Sequence, residues 1–180
     1  FERTTQLETG HRQVHPAGYR EARTSLPLIA DVGPIEAALA ADPGVRWFTV
    51  RLELPALAAA ANRSRGVMVQ GVEPDKAAEI SVLDEWVARG RTLAPGDTRA
   101  ALAGAALLEH LNVGLDGELI LITAHPQTGT GVLVPKVTGV IDPPSRELER
   151  VGVVLAMGVE RARLRITSKG SDVVAVVEGV

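Results

Sequence analysis

The sequence predicts an α+β domain with more strand than helix. Three observations carry this expectation. Segments of alternating or continuous apolar residues outnumber those with a helical period. The helical segments are short and closed by Gly or Pro signals. A hairpin signal, Pro126-Gln-Thr-Gly-Thr130, separates two long apolar runs.

Taken in order, Gly10–His15 reads as a short strand closed by Pro16, because Pro drives the residue before it away from the α conformation. A polar, Arg-rich connection follows to about Ile29. Asp31-Val-Gly-Pro34 starts a helix: Asp31 can cap it, and Pro34 falls in the first turn, where its missing N–H costs little. Val32, Ile35, Ala38 and Leu39 mark one face, and Asp42-Pro43-Gly44 stops it. Val45–Leu54 is a strand with Phe48, Val50, Leu52 and Leu54 on one side. Pro55–Ala61 is open: its alanines favour helix, and its place between strands favours a second strand. Asn62–Arg65 is read as a turn and Gly66–Val72 as a strand. Short helices are expected over 76–88, ended by Gly90 in the left-handed exit position.

Thr98–Ala103 is a short strand and Gly104–Leu111 a helix released at Asn112-Val-Gly114. Glu118–His125 and Gly131–Ile141 are two long strands, with Pro135 marking an edge or a bulge on the second. Asp142-Pro-Pro144 breaks the chain and is the best subdomain boundary. Val151–Val159 is expected as a strand turning into a short helix through Arg163, before a final strand pair around Arg165–Val177.

Composition excludes several functions. Of 180 residues, 46% are apolar but only 3% aromatic, and the net charge is −3 with no basic block. The electrostatic footprint of nucleic-acid binding is therefore missing. With no cysteine, there are no disulfides, thiolate metal sites or Cys nucleophiles. Neither Leu54–Ala61 nor Val151–Val159 approaches the roughly 20 residues needed to span a bilayer. The chain begins at Phe1 without a basic-then-apolar leader, so it is read as a soluble segment of a longer protein.

No catalytic constellation emerges. His11 and His15 have the i, i+4 spacing of a helical zinc clamp, but the Glu of H-E-x-x-H is absent and Pro16 closes a strand. On a strand these positions lie roughly 13 Å apart, too far for one zinc ion. Gly129-Thr-Gly131 joins two strands, so it is a hairpin tip, not a phosphate loop, which would open a helix. No G-x-S-x-G elbow occurs, and Ser25, Ser64, Ser81, Ser145, Ser168 and Ser171 all sit in polar or turn-like contexts. The carboxylate pairs Asp84/Glu85 and Glu147/Glu149 read as solvated charges. A hydrolase using His11, His15 or His125 is the least favoured reading. Accordingly no catalytic, cofactor-binding or metal residue is expected, and no cofactor.

An ordered set of weak motifs carries more. Val67-Met-Val-Gln-Gly-Val-Glu-Pro-Asp75 is followed by Trp86-Val-Ala-Arg-Gly-Arg-Thr-Leu93, Asp97 and Ala101-Leu-Ala-Gly-Ala-Ala-Leu-Leu108. Then come Leu111-Asn-Val-Gly114, Gly117-Glu-Leu-Ile-Leu-Ile122 and Val137-Thr-Gly-Val-Ile141. This order resembles the MacB-like periplasmic core domain of ABC-transporter permeases. Gly10-His-Arg-Gln-Val-His-Pro-Ala-Gly-Tyr19 is similar to the start of the lipoprotein-releasing and FtsX-like branch. Two departures stand out: Gly114-Leu-Asp-Gly117 carries an extra step, and Glu73 replaces the family's usual Asp. Physically, Gly71 and Gly139 suit close backbone approach, and Leu107, Leu108 and Leu111 form an apolar helix edge.

The resemblance implies two lobes. An α/β membrane-proximal lobe would comprise 1–75 and 143–180, with a strand-rich lobe, 76–142, inserted between them. It implies an extracytoplasmic (periplasmic) domain flanked by transmembrane helices, with a cytoplasmic ATPase subunit as partner. The client would be a lipoprotein, a peptide or a periplasmic adaptor, in lipoprotein release or export. The alternative is a non-transport module of an FtsX-like permease that activates a cell-wall hydrolase. The full-length permease is expected to be dimeric and the isolated domain monomeric.

Overall fold

A computed structural model describes residues 12–16, 29, 31–76, 83–125, 129–143, 146–156 and 174–179. Ten strands form one mixed sheet: β1 (Arg12–Val14), β2 (Val45–Ala60), β3 (Arg63–Val72), β4 (Val87–Gly90) and β5 (Ala100–Gly104) come first. They are followed by β6 (Ile120–His125), β7 (Gly129–Leu133), β8 (Lys136–Ile141), β9 (Gly152–Ala156) and β10 (Val174–Gly179). Three α-helices are described, α1 (Gly33–Ala41), α2 (Ala105–Leu111) and α3 (Arg146–Val151), with a 3₁₀ turn at Leu83–Trp86. The strand order is β1-β10-β2-β3-β9-β5-β8-β4, and β6, carrying β7, branches from β2. The α+β class is as the sequence predicts.

β2 organises this order. The stretch open to either helix or strand, Pro55 onward, continues the first strand, giving sixteen residues without a break. Its even positions, Leu52 to Ala60, face the core, where Ala58 and Ala60 are buried. Its far end pairs with β3 and β6, whereas residues 45–51 pair with β10. The β2–β3 turn is Ala61-Asn62, and the residues read as a turn at 63–65 already belong to β3.

Both faces of the central sheet are covered. On one face α2 and α3 lie over Val67, Val69, Ala101, Ala103, Val137, Val153 and Leu155, with Leu107, Leu108 and Leu111 pointing inward. On the other, Leu83 and Leu93 pack over Val72, Ala100, Leu102, Ile141, Val154 and Ala156. Burial on both sides explains why β5 and β9 read as continuous apolar runs without alternation. α2 ends in a Schellman arrangement: Asn112 is left-handed, its N–H donates to Glu109 O, and Val113 N–H donates to Leu108 O.

Three expectations are corrected. The run Gly131–Ile141 is two strands, because Pro135 has no N–H to give a ladder, and its buried ring turns the chain from β6 to β5. Gly90 has the expected positive φ (84°) but ends β4, not a helix. After the Asp142-Pro break the charged segment, which the sequence leaves unassigned, forms α3 and leads straight into the strand β9. Asp31 lies one residue before the N-cap, Val32, and its carboxylate accepts from Gly33 N–H at 3.0 Å. The segments expected over 157–173 lie outside the described residues.

Gly104 joins β5 to α2 where α3 crosses, and a Cβ there would stand 2.0 Å from Glu149 O. Gly104→Ala should lower the unfolding free energy by roughly 2–3 kcal/mol in urea titrations, the cost of overpacking against rigid backbone. Gly66→Ala, whose Cβ would meet nothing within 4 Å, should stay within about 0.5 kcal/mol.

Candidate functional site

Two clusters gather the polar side chains that the sheet holds in defined positions. The first surrounds Glu73. β3 leaves β2 after the pair Leu52–Gly71, and two residues further along the same register Val50 faces Glu73. There the Glu73 carboxylate takes over from the ladder: Val50 N–H donates to its Oε2 at 3.1 Å and Thr49 Oγ1 at 3.4 Å. Among the described residues, Thr49 and Glu73 are the polar members of the buried set. A charge this deep must be matched by a counter-charge and hydrogen bonds. Lys76 supplies the charge, its Nζ lying 3.1 Å from Glu73 Oε2, 3.4 Å from Glu36 Oε1 on α1, and 4.9 Å from the centre of the Phe48 ring.

The second cluster is built by the motifs read as family marks. β8 bulges at Thr138: Ala101 pairs with Val137, but Leu102 pairs with Gly139. The exposed Thr138 carbonyl accepts from Arg91 N–H at 2.9 Å. A Cβ on Gly90 would stand 2.3 Å from that oxygen, and one on Gly139 would stand 2.5 Å from Arg91 O. Only two glycines allow the strands this close. The Arg91 guanidinium then forks onto Asp97, Nη1 to Oδ2 at 2.7 Å and Nη2 to Oδ1 at 3.0 Å. Asp97 Oδ2 also accepts from Ala94 N–H at 2.8 Å, so it closes the turn 94–97. The hydrogen bond from Arg91, chiefly, holds the Asp97 carboxyl below the ordinary carboxylate range, with the Ala94 amide assisting. The extra step Gly114–Gly117 lies along β8: Asp116 N–H donates to Val137 O, Val137 N–H to Gly117 O, and the Leu115 side chain reaches Gly90.

Among the described residues, those singled out for chemistry are not brought together. His11, Ser25, Ser81, Ser145, Ser168 and Ser171 lie outside the described residues. His15 follows β1 and has its Nε2 2.7 Å from Gln13 Oε1. His125 ends β6, paired to Gly129, and Gly129–Gly131 is strand in β7, with no helix behind it. Ser64 is exposed on β3 opposite Ala59. Asp84 Oδ1 accepts from Thr92 Oγ1 at 2.6 Å, beside exposed Glu85 in the 3₁₀ turn. Glu147 and Glu149 both lie on α3. Among the described residues, no group of three or more His, Asp or Glu is placed to hold a metal ion.

Sequence reasoning met Glu73 only as a departure from a motif, because a Glu before Pro at a strand end reads as an ordinary turn residue. Nothing local links it to Glu36, which is separated from Lys76 by forty positions.

No family model matches the chain, and no curated protein sequence does. Solved structures do. The extracellular domain of the noncanonic ABC-type transporter YknZ from Gram-positive bacteria matches at TM-score 0.58 and 15% identity, over 82% of this chain and 72% of that one. The periplasmic region of MacB from Actinobacillus actinomycetemcomitans matches at 0.57 and 14%, over 97% and 79%. A domain of a permease protein from Porphyromonas gingivalis matches at 0.54 and 16%, over 86% and 69%. The fold is that of MacB-like extracytoplasmic permease domains. At these identities the likeness is one of fold. Among the described residues, no helix is long and apolar enough to cross a membrane.

Two predictions follow from the clusters. Glu73→Ala strands the Val50 amide and removes one of the two carboxylates on Lys76, and should cost about 2 kcal/mol in urea unfolding. Glu73→Gln, which keeps an acceptor, should cost less than half of that. Asp97 has a depressed folded pKa, so its contribution is present above the unfolded value and fades as the pH falls below about 4. The stability gap between wild type and Asp97→Asn should therefore be largest near pH 7 and shrink by pH 3, measured as the difference in urea midpoints.

Proposed function

We propose that this chain is the extracytoplasmic domain of an ABC-transporter permease subunit, and that it passes motions driven by a cytoplasmic ATPase to a client outside the membrane. The observation that carries this reading is the fold shared with an extracellular transporter domain, the periplasmic region of MacB and a domain of a permease protein, over 82–97% of the chain. The clusters around Glu73 and Arg91 support it, because they brace strands against one another and present no reacting group. A non-enzymatic, mechanical role suits such a scaffold.

The surface supports a protein-contacting role as well. Beyond the region covered by Leu83 and Leu93, the sheet carries a cross-strand row of Leu57, Ile122 and Val132, flanked by Met68, Ile120 and Val134. Val132 is 64% exposed, and an apolar row of this kind is a common mark of protein contact. Lipoprotein release or export with an adaptor is the client chemistry we favour, in a permease that works as a dimer. The division into lobes, 1–75 with 143–180 around 76–142, belongs to the same proposal, and the pairing of β1 with β10 from the two chain ends supports it.

The test uses the absence of cysteine in this chain. Ser64→Cys, at an exposed strand position, should be labelled by a membrane-impermeant maleimide in intact cells carrying an otherwise cysteine-free full-length protein. The detergent-solubilised protein should also co-purify with an ATPase subunit. Labelling only after lysis would overturn the placement, and a protein recovered without an ATPase would overturn the transport coupling. Retention of a cell-wall hydrolase in place of a lipoprotein or adaptor would move the chain to the FtsX-like alternative.

A further inference from the structure

We propose that β7 is a dimerisation edge: it pairs with the β7 of a second copy, antiparallel across a two-fold axis at Val132, so that the two sheets become one. Among the described residues β7 pairs on one side, with β6. Val132 closes the cross-strand row that runs from Leu57 through Ile122. It is 64% exposed, whereas Leu57, with strands on both sides, is 41% exposed. The rise in exposure marks an open edge. Every second residue there turns its N–H and C=O away from β6, which makes a template for another strand.

Open edges are ordinarily guarded by charge. The strands at the two ends of the sheet order carry Arg12 and Arg89. β7 has no such guard: from Pro126 to Pro135 the chain holds no charged residue. A strand of this kind meets its own copy without like charges facing each other. The apolar row fixes the register. With Val132 opposite its own copy, Thr130 faces Val134 and Gly131 faces Leu133, small against large. The row then runs unbroken from Leu57 of one copy to Leu57 of the other, three apolar side chains from each. Pro135, with no N–H to give, stops the new ladder beyond Val134.

A five-residue edge covers less than the roughly 800 Å² per partner of a stable interface, so the isolated domain pairs only weakly. Two copies tethered in one membrane meet at a far higher effective concentration. The proposal deepens, and rests on, the reading of a permease that works as a dimer, and it gives that dimer a contact outside the membrane.

Disulfide trapping tests the edge in membranes carrying the otherwise cysteine-free full-length protein. Val132→Cys should give a disulfide-linked dimer under mild oxidant, because Cα atoms facing each other across the axis lie roughly 5 Å apart. Thr130→Cys co-expressed with Val134→Cys should cross-link about fivefold faster or more than either variant alone, since each lies roughly 14 Å from its own copy in this register. Adding Val132→Lys to that mixed pair should remove the cross-link. Equal rates for mixed and single variants would overturn the proposal. So would cross-linking of Val132→Cys no faster than that of exposed Ser64→Cys. Capture of a different protein by Val132→Cys, in place of a second copy, would overturn it in favour of a client strand at this edge. Maleimide labelling and ATPase recovery are read separately, so failure of the edge is distinguishable from failure of the permease reading.

Discussion

A single carboxylate governs how the long strand β2 changes partners. β2 pairs with β3 down to Leu52 and with β10 from Arg51, so its middle residues belong to two regions of the sheet. A ladder that ends inside a protein leaves backbone donors without acceptors, and each orphan costs on the order of 1–3 kcal/mol. Glu73 meets that cost by lending its side chain where the β3 backbone has departed. Having buried a charge there, the fold needs a cation, and Lys76 brings α1 along with it through Glu36. The position of β3, the path after Pro74 and the seat of α1 are thus consequences of one hydrogen-bonding requirement.

The second constraint is steric. The bulge at Thr138 turns a carbonyl toward the end of β4, and only glycines at 90 and 139 let the two backbones meet. Arg91, freed to point outward, is held by Asp97, and the loop 114–117 lies over the junction. Motifs scattered over fifty positions of sequence are therefore one packed object. The close approach at Gly90 and Gly139 gives these motifs a structural reason, without appeal to any reaction.

Much of this was legible beforehand, element by element. β1 before Pro16, the helix after Asp31, α2 with its release at Asn112, and the hairpin of β6 and β7 all follow from local rules about caps, breakers and periodicity. Where local rules compete, the reading failed. The alanines after Pro55 have helical propensity, yet they lie in a strand because β3 and β6 pair with that stretch. Pro135 signalled disruption, but whether it would bulge a strand or divide it depended on β5 and β6 offering separate partners. The candidate histidines and carboxylates converge on nothing among the described residues, and spacing alone already argued against them.

The sequence by itself determined the class of the fold, most strand and helix positions, and the absence of thiol chemistry, since these depend on residue type and near-neighbour periodicity. It also carried the motif order whose family resemblance pointed to the fold that the solved domains share. Only the tertiary structure decided which polar residues matter. Glu36, Glu73 and Lys76 meet across three elements, as do Gly90, Thr138 and Gly139, because strand pairing and register, not spacing along the chain, set which backbone groups lack partners and which side chain is near enough to supply one.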